Sequence, residues 1–217
     1  MWPRVRRVRS SDLRMTRTFL LSPAYAGGRR AQMILSERAH FDLALRLRRA
    51  ETVSLGEVFT FLSGLYFRGK LAYANTFAQP DFSRVLVITP TRGLLVASTP
   101  VTLADLREFA AVDIEENDPR YRKPLERDLR KLVRQSGKEC DIVLLGSIAT
   151  GKYVDVLLEI LEERLRFPAD FVGRGDMSRG GLLLRSAADG AELPYIPVKG
   201  AIRKGKRPPK LVPRRYT

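Results

Sequence analysis

The 217-residue chain contains one cysteine, one histidine and one tryptophan. A lone Cys140, opening an apolar run, cannot close an internal disulfide and reads as a small buried hydrophobe. A lone His40 leaves no zinc cluster and no Ser-His-Asp arrangement, and its helical setting makes it a packing or surface residue. Apolar runs stop well short of the length that spans a bilayer, and residues 1–17 carry no apolar signal segment. A reducing, cytoplasmic setting with no membrane partner is therefore expected, and no cofactor or metal is implied. Acidic residues are scarce as well, with 24 against 39 lysines and arginines, for a net charge of +15.

That charge sits at the ends. Residues 1–17 contribute +5 and residues 199–217 contribute +8, which leaves about +2 on the 18–198 body. Three units follow: a basic N-terminal extension at 1–17, a folded domain at 18–198 and a basic C-terminal tail at 199–217. Both ends lack apolar content to fold around, so they are expected to be mobile. Such tails either attract RNA or DNA through counterion release or simply keep the protein soluble. Met15-Thr-Arg-Thr immediately precedes the first strand, so residues 1–14 also read as an upstream extension.

The stretch Cys140–Leu161 has the strongest local signature. Asp141–Leu145 is a nearly all-apolar run of the kind buried on both faces of a sheet. Gly146 opens a small polar turn. Val154, Leu157, Leu158, Leu161 and Leu165 then recur on one helical face. Gly146, Gly151 and Lys152 match the G-x-x-x-x-G-K phosphate loop, but Tyr153 stands where a magnesium-ligating Ser or Thr belongs. The turn therefore reads as plain structure, as an anion site at a helix N-terminus, or as a divergent phosphate-loop nucleotide-binding element.

Further strands are expected at Thr18–Leu21, Arg84–Thr89 and Asp170–Val172, with Leu182–Ala187 and Glu192–Val198 forming a terminal hairpin about Ala188-Asp189-Gly190. Helices separate them. Ser54 and Glu57 form a capping box, Thr102 caps another helix, and Pro124 leads Leu125, Leu129 and Leu132. Gly64 and Gly69 interrupt an aromatic-rich segment, which reads as two shorter helices or one kinked helix. Tyr66, Phe67 and Tyr73 interleave there with Arg68 and Lys70, a pattern that fits either base stacking or ordinary core. The fold class is thus α/β: a single three-layer domain with a mainly parallel central sheet, a C-terminal hairpin and basic tails.

In such sheets ligands gather beyond the carboxyl ends of the strands. Those ends are Ser22–Arg30, Pro90–Leu95, Gly146–Lys152 and Gly173–Gly181, each with glycine or proline plus a cation. Arg29, Arg30, Arg92, Gly93, Gly146, Gly151, Lys152, Arg174 and Arg179 are the candidate ligand- and phosphate-binding residues. Asp176 and Ser178 are the candidate catalytic pair. Asp176 would stabilise positive charge developing on a sugar while Arg174 and Arg179 hold phosphate.

Three segments carry a family resemblance: Leu65-Tyr66-Phe67-Arg68 with Lys70, Ala72 and Tyr73; Val85–Thr89 followed by Arg92-Gly93-Leu94-Leu95; and Asp141–Leu145. In these the chain, over about residues 18–185, resembles small α/β domains related to the peroxide-stress protein YaaA and to the base-handling domain of archaeosine synthase. Those relatives often follow their first strand with a Ser/Cys- and Lys-rich loop, where this chain has Ser22–Gly28. The resemblance implies a uracil-glycosylase-like architecture and a link to nucleic acid or modified bases. The expected function is binding of a nucleotide, modified base or nucleic-acid backbone at the strand ends, with base or glycosyl-bond chemistry if it is an enzyme. The alternatives are a non-catalytic nucleic-acid binder using its tails and a divergent phosphate-loop protein.

Overall fold

The first strand, β1 (Arg17–Leu21), lies at the centre of the sheet, and Phe19, Leu20 and Leu21 are wholly buried. Consecutive apolar residues point to opposite faces of a strand, so both faces of the sheet must be covered. The computed structural model describes residues 17–78, 84–137 and 140–213. Residues 1–16 of the expected N-terminal extension, and 214–217 of the tail, lie outside the described residues.

Four helices follow β1: α1 (Arg29–Leu35), α2 (Asp42–Arg48), α3 (Leu55–Ser63) and α4 (Leu65–Phe77). The chain then forms β2 (Arg84–Ile88) and turns into β3 (Leu94–Val96). Next come α5 (Leu103–Ala110), α6 (Pro119–Gln135), β4 (Asp141–Leu145), α7 (Gly151–Leu161) and β5 (Leu165–Pro168). Helix α8 (Asp176–Asp189) and β6 (Tyr195–Pro197) complete the domain. Thr102 and Asp105 cap α5 reciprocally, whereas the box expected at Ser54 is half formed: Ser54 accepts from the Glu57 amide, but the Glu57 carboxylate turns to Arg46.

The six-stranded sheet has the order β3-β2-β1-β4-β5-β6. Strands β2, β1, β4 and β5 are parallel, while β3 and β6 run antiparallel at the two edges. The chain therefore winds outward from β1 to β2 on one side, and from β4 to β5 on the other. Right-handed crossovers then put the helices that follow β1 and the helix that follows β4 on opposite faces. Helix α4 packs with α8 in one layer and α6 with α7 in the other. The winding reverses between β1 and β4, the place where sheets of this kind hold ligands beyond the carboxyl ends of their strands.

Three expectations are corrected in this region. The segment Leu182–Ala187 is not a hairpin arm but the second half of α8, which runs on to an αL cap at Gly190. Only the other arm is a strand, and β6 pairs antiparallel with β5. The fourth parallel strand is Leu165–Pro168, whereas Ala169–Phe171 is a single 3-10 turn. Ser178, Arg179, Gly180 and Gly181, expected in a glycine-rich loop, are likewise helical.

Gly180 of α8 has a packing cause, and so has Gly69 of α4. A Cβ on Gly69 of α4 would stand 2.6 Å from the Gly180 carbonyl oxygen. A Cβ on Gly180 would stand 2.8 Å from both the Leu65 oxygen and Tyr66 Cα. The two helices thus meet backbone to backbone, a separation closed to any side chain. Gly64, with φ +63°, ends α3 and starts α4, whereas Gly69 is a contact point inside α4 and not a break.

Gly180→Ala should force the two helices apart and lower stability by roughly 1–3 kcal/mol in urea unfolding. Gly181→Ala is the paired control, because its Cβ would meet only the flexible end of Leu211 at 3.4 Å. Alanine is also the better helix former, so that variant should match or exceed the parent. Equal losses at both positions would refute the crossing as the cause.

Candidate functional site

Lys70 occupies the middle of the buried face of α4 and is 1 % exposed. Its neighbours on that face, Tyr66, Phe67, Tyr73 and Ala74, are core residues. The ammonium lies 4.5 Å from the centre of the Tyr66 ring and 4.7 Å from that of Phe67. It donates to the Ser22 carbonyl oxygen at 2.7 Å and to Ser22 Oγ at 2.9 Å. Among the described residues it forms no salt bridge. Burial drives its pKa down to about 7, with Asp176 opposing and Arg179 reinforcing the shift.

Ser22 is the first residue past β1, and its amide donates to the Leu145 carbonyl at the end of β4. The lysine is therefore anchored at the point where the winding reverses. Gly146, the first residue past β4, faces the same spot: a Cβ there would stand 2.8 Å from Ser22 Cβ and 3.1 Å from the Tyr153 hydroxyl. Tyr153, which interrupts the phosphate-loop pattern, is buried and donates to the Ser147 carbonyl at 2.7 Å. Burial pushes its pKa up to about 12, although a hydrogen bond with Ser22 and the charge of Arg179 pull the other way.

Arg179 closes the group from α8. It is 7 % exposed, bonds the Phe171 carbonyl through both Nε and Nη2 at 3.3 Å, and pairs with Asp176 at 3.2 Å. Among the described residues the buried Tyr66 hydroxyl has no hydrogen-bond partner of good geometry, although the Arg179 guanidinium is close enough to interact with its oxygen. Its pKa is raised by burial, against the opposing charge of Arg179. The cluster is consequently rich in donors and short of one acceptor. A carbonyl, carboxylate or phosphate oxygen would satisfy Tyr66 and neutralise an otherwise unpaired cation. A lysine that titrates near neutrality, beside a serine hydroxyl, can also take up or release a proton at physiological pH.

All four turns expected to form a rim do lie beyond one edge of the parallel sheet, since they follow β1, β2, β4 and β5. Their cationic groups do not converge. Arg29 and Arg30 are exposed at the start of α1, and Arg30 donates to the Phe61 carbonyl. The Gly27-Gly28 backbone is covered by the Tyr25 ring. Arg92 pairs with Asp105 and Glu108, both at 2.6 Å, and Gly93 only turns the chain from β2 to β3.

Lys152 points out to Glu115 at 3.3 Å, and a Cβ on Gly151 would meet the carboxylates of Asp155 and Glu116. Acidic groups at that helix N-terminus repel phosphate. Arg174 is bound to the Asp170 and Pro209 carbonyls and to Ser178 Oγ. Asp176 is largely exposed and serves to hold Arg179. Of the candidate residues, only Gly146 and Arg179 belong to the buried cluster.

Family models, curated proteins and solved structures give no match to this chain.

The lysine carries a pH signature. Its folded pKa, about 7, lies below its unfolded value of 10.5, so between these pH values the unfolded chain binds more protons. Stability should therefore rise from pH 7 to pH 9 and lose this gain as pH falls back through 7. Urea unfolding should show the parent gaining on the order of 1–2 kcal/mol over that interval relative to Lys70→Met. Parallel pH profiles for the two proteins would show that Lys70 does not titrate there.

Proposed function

We propose that the protein binds an anionic small molecule of the nucleotide or modified-base class in the crevice between the ends of β1 and β4, with Lys70 as the acid–base group. One observation carries the reading: Lys70 is a fully buried ammonium whose only hydrogen-bond partners among the described residues are the backbone and hydroxyl of Ser22. Taking such an ion out of water costs several kcal/mol, and its cation–π contacts offset only part of that. A charge retained without a counter-ion, at the point where sheets of this winding hold ligands, fits a site completed by its ligand.

The roles follow from the geometry. Arg179 and Lys70 would face the negative group of the ligand, and the Tyr66 hydroxyl would donate to an acceptor oxygen. Tyr153 and Ser22 form the polar floor. With a pKa near 7, Lys70 supplies a proton in one half of its population and accepts one in the other. This supports base or glycosyl-bond chemistry more than phosphoryl transfer, for which the acidic surroundings of Gly151 and Lys152 are unsuited. Asp176 enters as the residue that positions Arg179, and the resemblance to base-handling domains points to the same class of ligand.

The test is a thermal-shift and calorimetric screen of the full chain against nucleotides, nucleosides and free bases. A ligand that stabilises the parent should lose nearly all its effect on Lys70→Met and about tenfold in affinity on Tyr66→Phe. Lys70→Met should itself stay within about 1 kcal/mol of the parent in stability, because the lost hydrogen bonds to Ser22 are offset by the relieved burial of charge. A ligand held equally by all three proteins, or a Lys70→Met variant that fails to fold, would place the purpose of the lysine in structure alone.

A further inference from the structure

The basic C-terminal tail is a wall and not a free arm. Arg203 pairs with Asp155 of α7 at 2.5 Å, and Lys199 pairs with Glu163 at 2.8 Å. Gly173 adopts φ +72°, and a Cβ there would lie 2.0 Å from the Lys206 carbonyl oxygen, so the two backbones touch. Gly205 packs on Val172, Arg174 reaches the Pro209 carbonyl, and Leu211 comes over Gly181. The tail therefore crosses from α7 to α8 and stands off the outer side of α8.

Between the tail and α8 runs an open cleft of about 340 Å³. Arg174 and Arg185 project from one side, and Arg207 and Lys210 from the other. Among the described residues no carboxylate lines it. The cleft thus gathers four cations with no acid among them, whereas Arg92, Arg120, Arg122 and Arg127 are each held by a neighbouring acid. Met177, 69 % exposed, and Leu211 add apolar surface to the same cleft.

We infer that this cleft binds the sugar–phosphate backbone of single-stranded nucleic acid. Cations of one sign facing each other across a concave wall focus potential onto a polyanion threaded between them. A cleft of this size admits one strand and excludes a duplex, and Met177 offers an apolar platform to an unstacked base. Among the described residues no asparagine or glutamine lines it to read base edges, so binding is tolerant of sequence and strongly dependent on salt. A flat anionic membrane is the poorer fit, because its headgroups cannot reach cations directed into a groove. The inference is independent of the buried site, since Lys70 lies on the opposite, inner side of the α4–α8 layer.

The full chain should bind a fluorescent oligothymidylate of roughly ten nucleotides, measured by anisotropy. Across about 50–200 mM salt the log–log slope should be near −3, the value for four contacts on a single strand. Arg185→Glu with Arg207→Glu should weaken binding at least about tenfold and roughly halve the slope, with an unchanged melting transition. If that pair disturbs folding, Arg207→Gln with Lys210→Gln should give the same direction with a smaller loss.

Arg84→Glu with Lys131→Glu makes an equal charge change in a separate cleft, between the β2–β3 edge and α6, and should bind like the parent. Lys70→Met should also retain oligonucleotide binding, which separates this inference from the proposed function. No binding by the parent, an equal loss in the Arg84/Lys131 control, or a preference for phosphatidylserine vesicles over the oligonucleotide would each overturn it.

Discussion

The contact between Gly69 and Gly180 sets the geometry of one whole side of the molecule. It brings α4 and α8 so close that the residues flanking it, Tyr66 and Lys70 on one helix and Arg179 on the other, share a single buried space above β1. A methyl group at either position would widen the layer and separate Arg179 from the lysine. The crossing thus accounts for two facts at once: glycine at positions 69 and 180, and the presence of two cations in the core within reach of one another's charge.

Charge in this protein is otherwise managed locally. Arg92 is held by Asp105 and Glu108, Lys152 by Glu115, Arg203 by Asp155 and Arg122 by Glu126. Exposed pairs of this kind contribute little stability, but each ties one cation to one place. In two of the four turns at the carboxyl ends of the strands, the cations Arg92 and Lys152 are tied up in this way and so do not contribute to a shared rim. Lys70 departs from that pattern because burial has removed its water while only Ser22 has replaced it. It lies where the winding of the sheet reverses, next to the ends of β1 and β4.

The C-terminal tail shows the same principle at lower density. Its apolar content is too small to drive folding, which is why it reads as unstructured. It is nevertheless placed by backbone contact at Gly173, by the Arg203–Asp155 pair and by the reach of Arg174 to Pro209. Those contacts supply one wall of a cleft that α8 alone would not make. The basic composition of residues 199–213 thereby becomes a directed feature on one flank of the domain.

The central strands, the α/β class, the caps at Ser54 and Thr102 and the near-neutral body follow from local pattern, because periodicity, capping chemistry and charge are written residue by residue. The apparent hairpin at Leu182–Val198 did not survive, since alternation over so few residues cannot tell a strand from the buried stripe of α8. Lys70 had a signal in the sequence, a lysine centred in the apolar stripe of Tyr66, Phe67, Tyr73 and Ala74, yet the stripe alone could not say that its head is buried. Tyr153 read as a defect in a phosphate loop until its hydroxyl was found beside Ser22. Which groups meet depends on strand order and on how closely two helices approach, and those are properties of contacts between residues far apart in the chain.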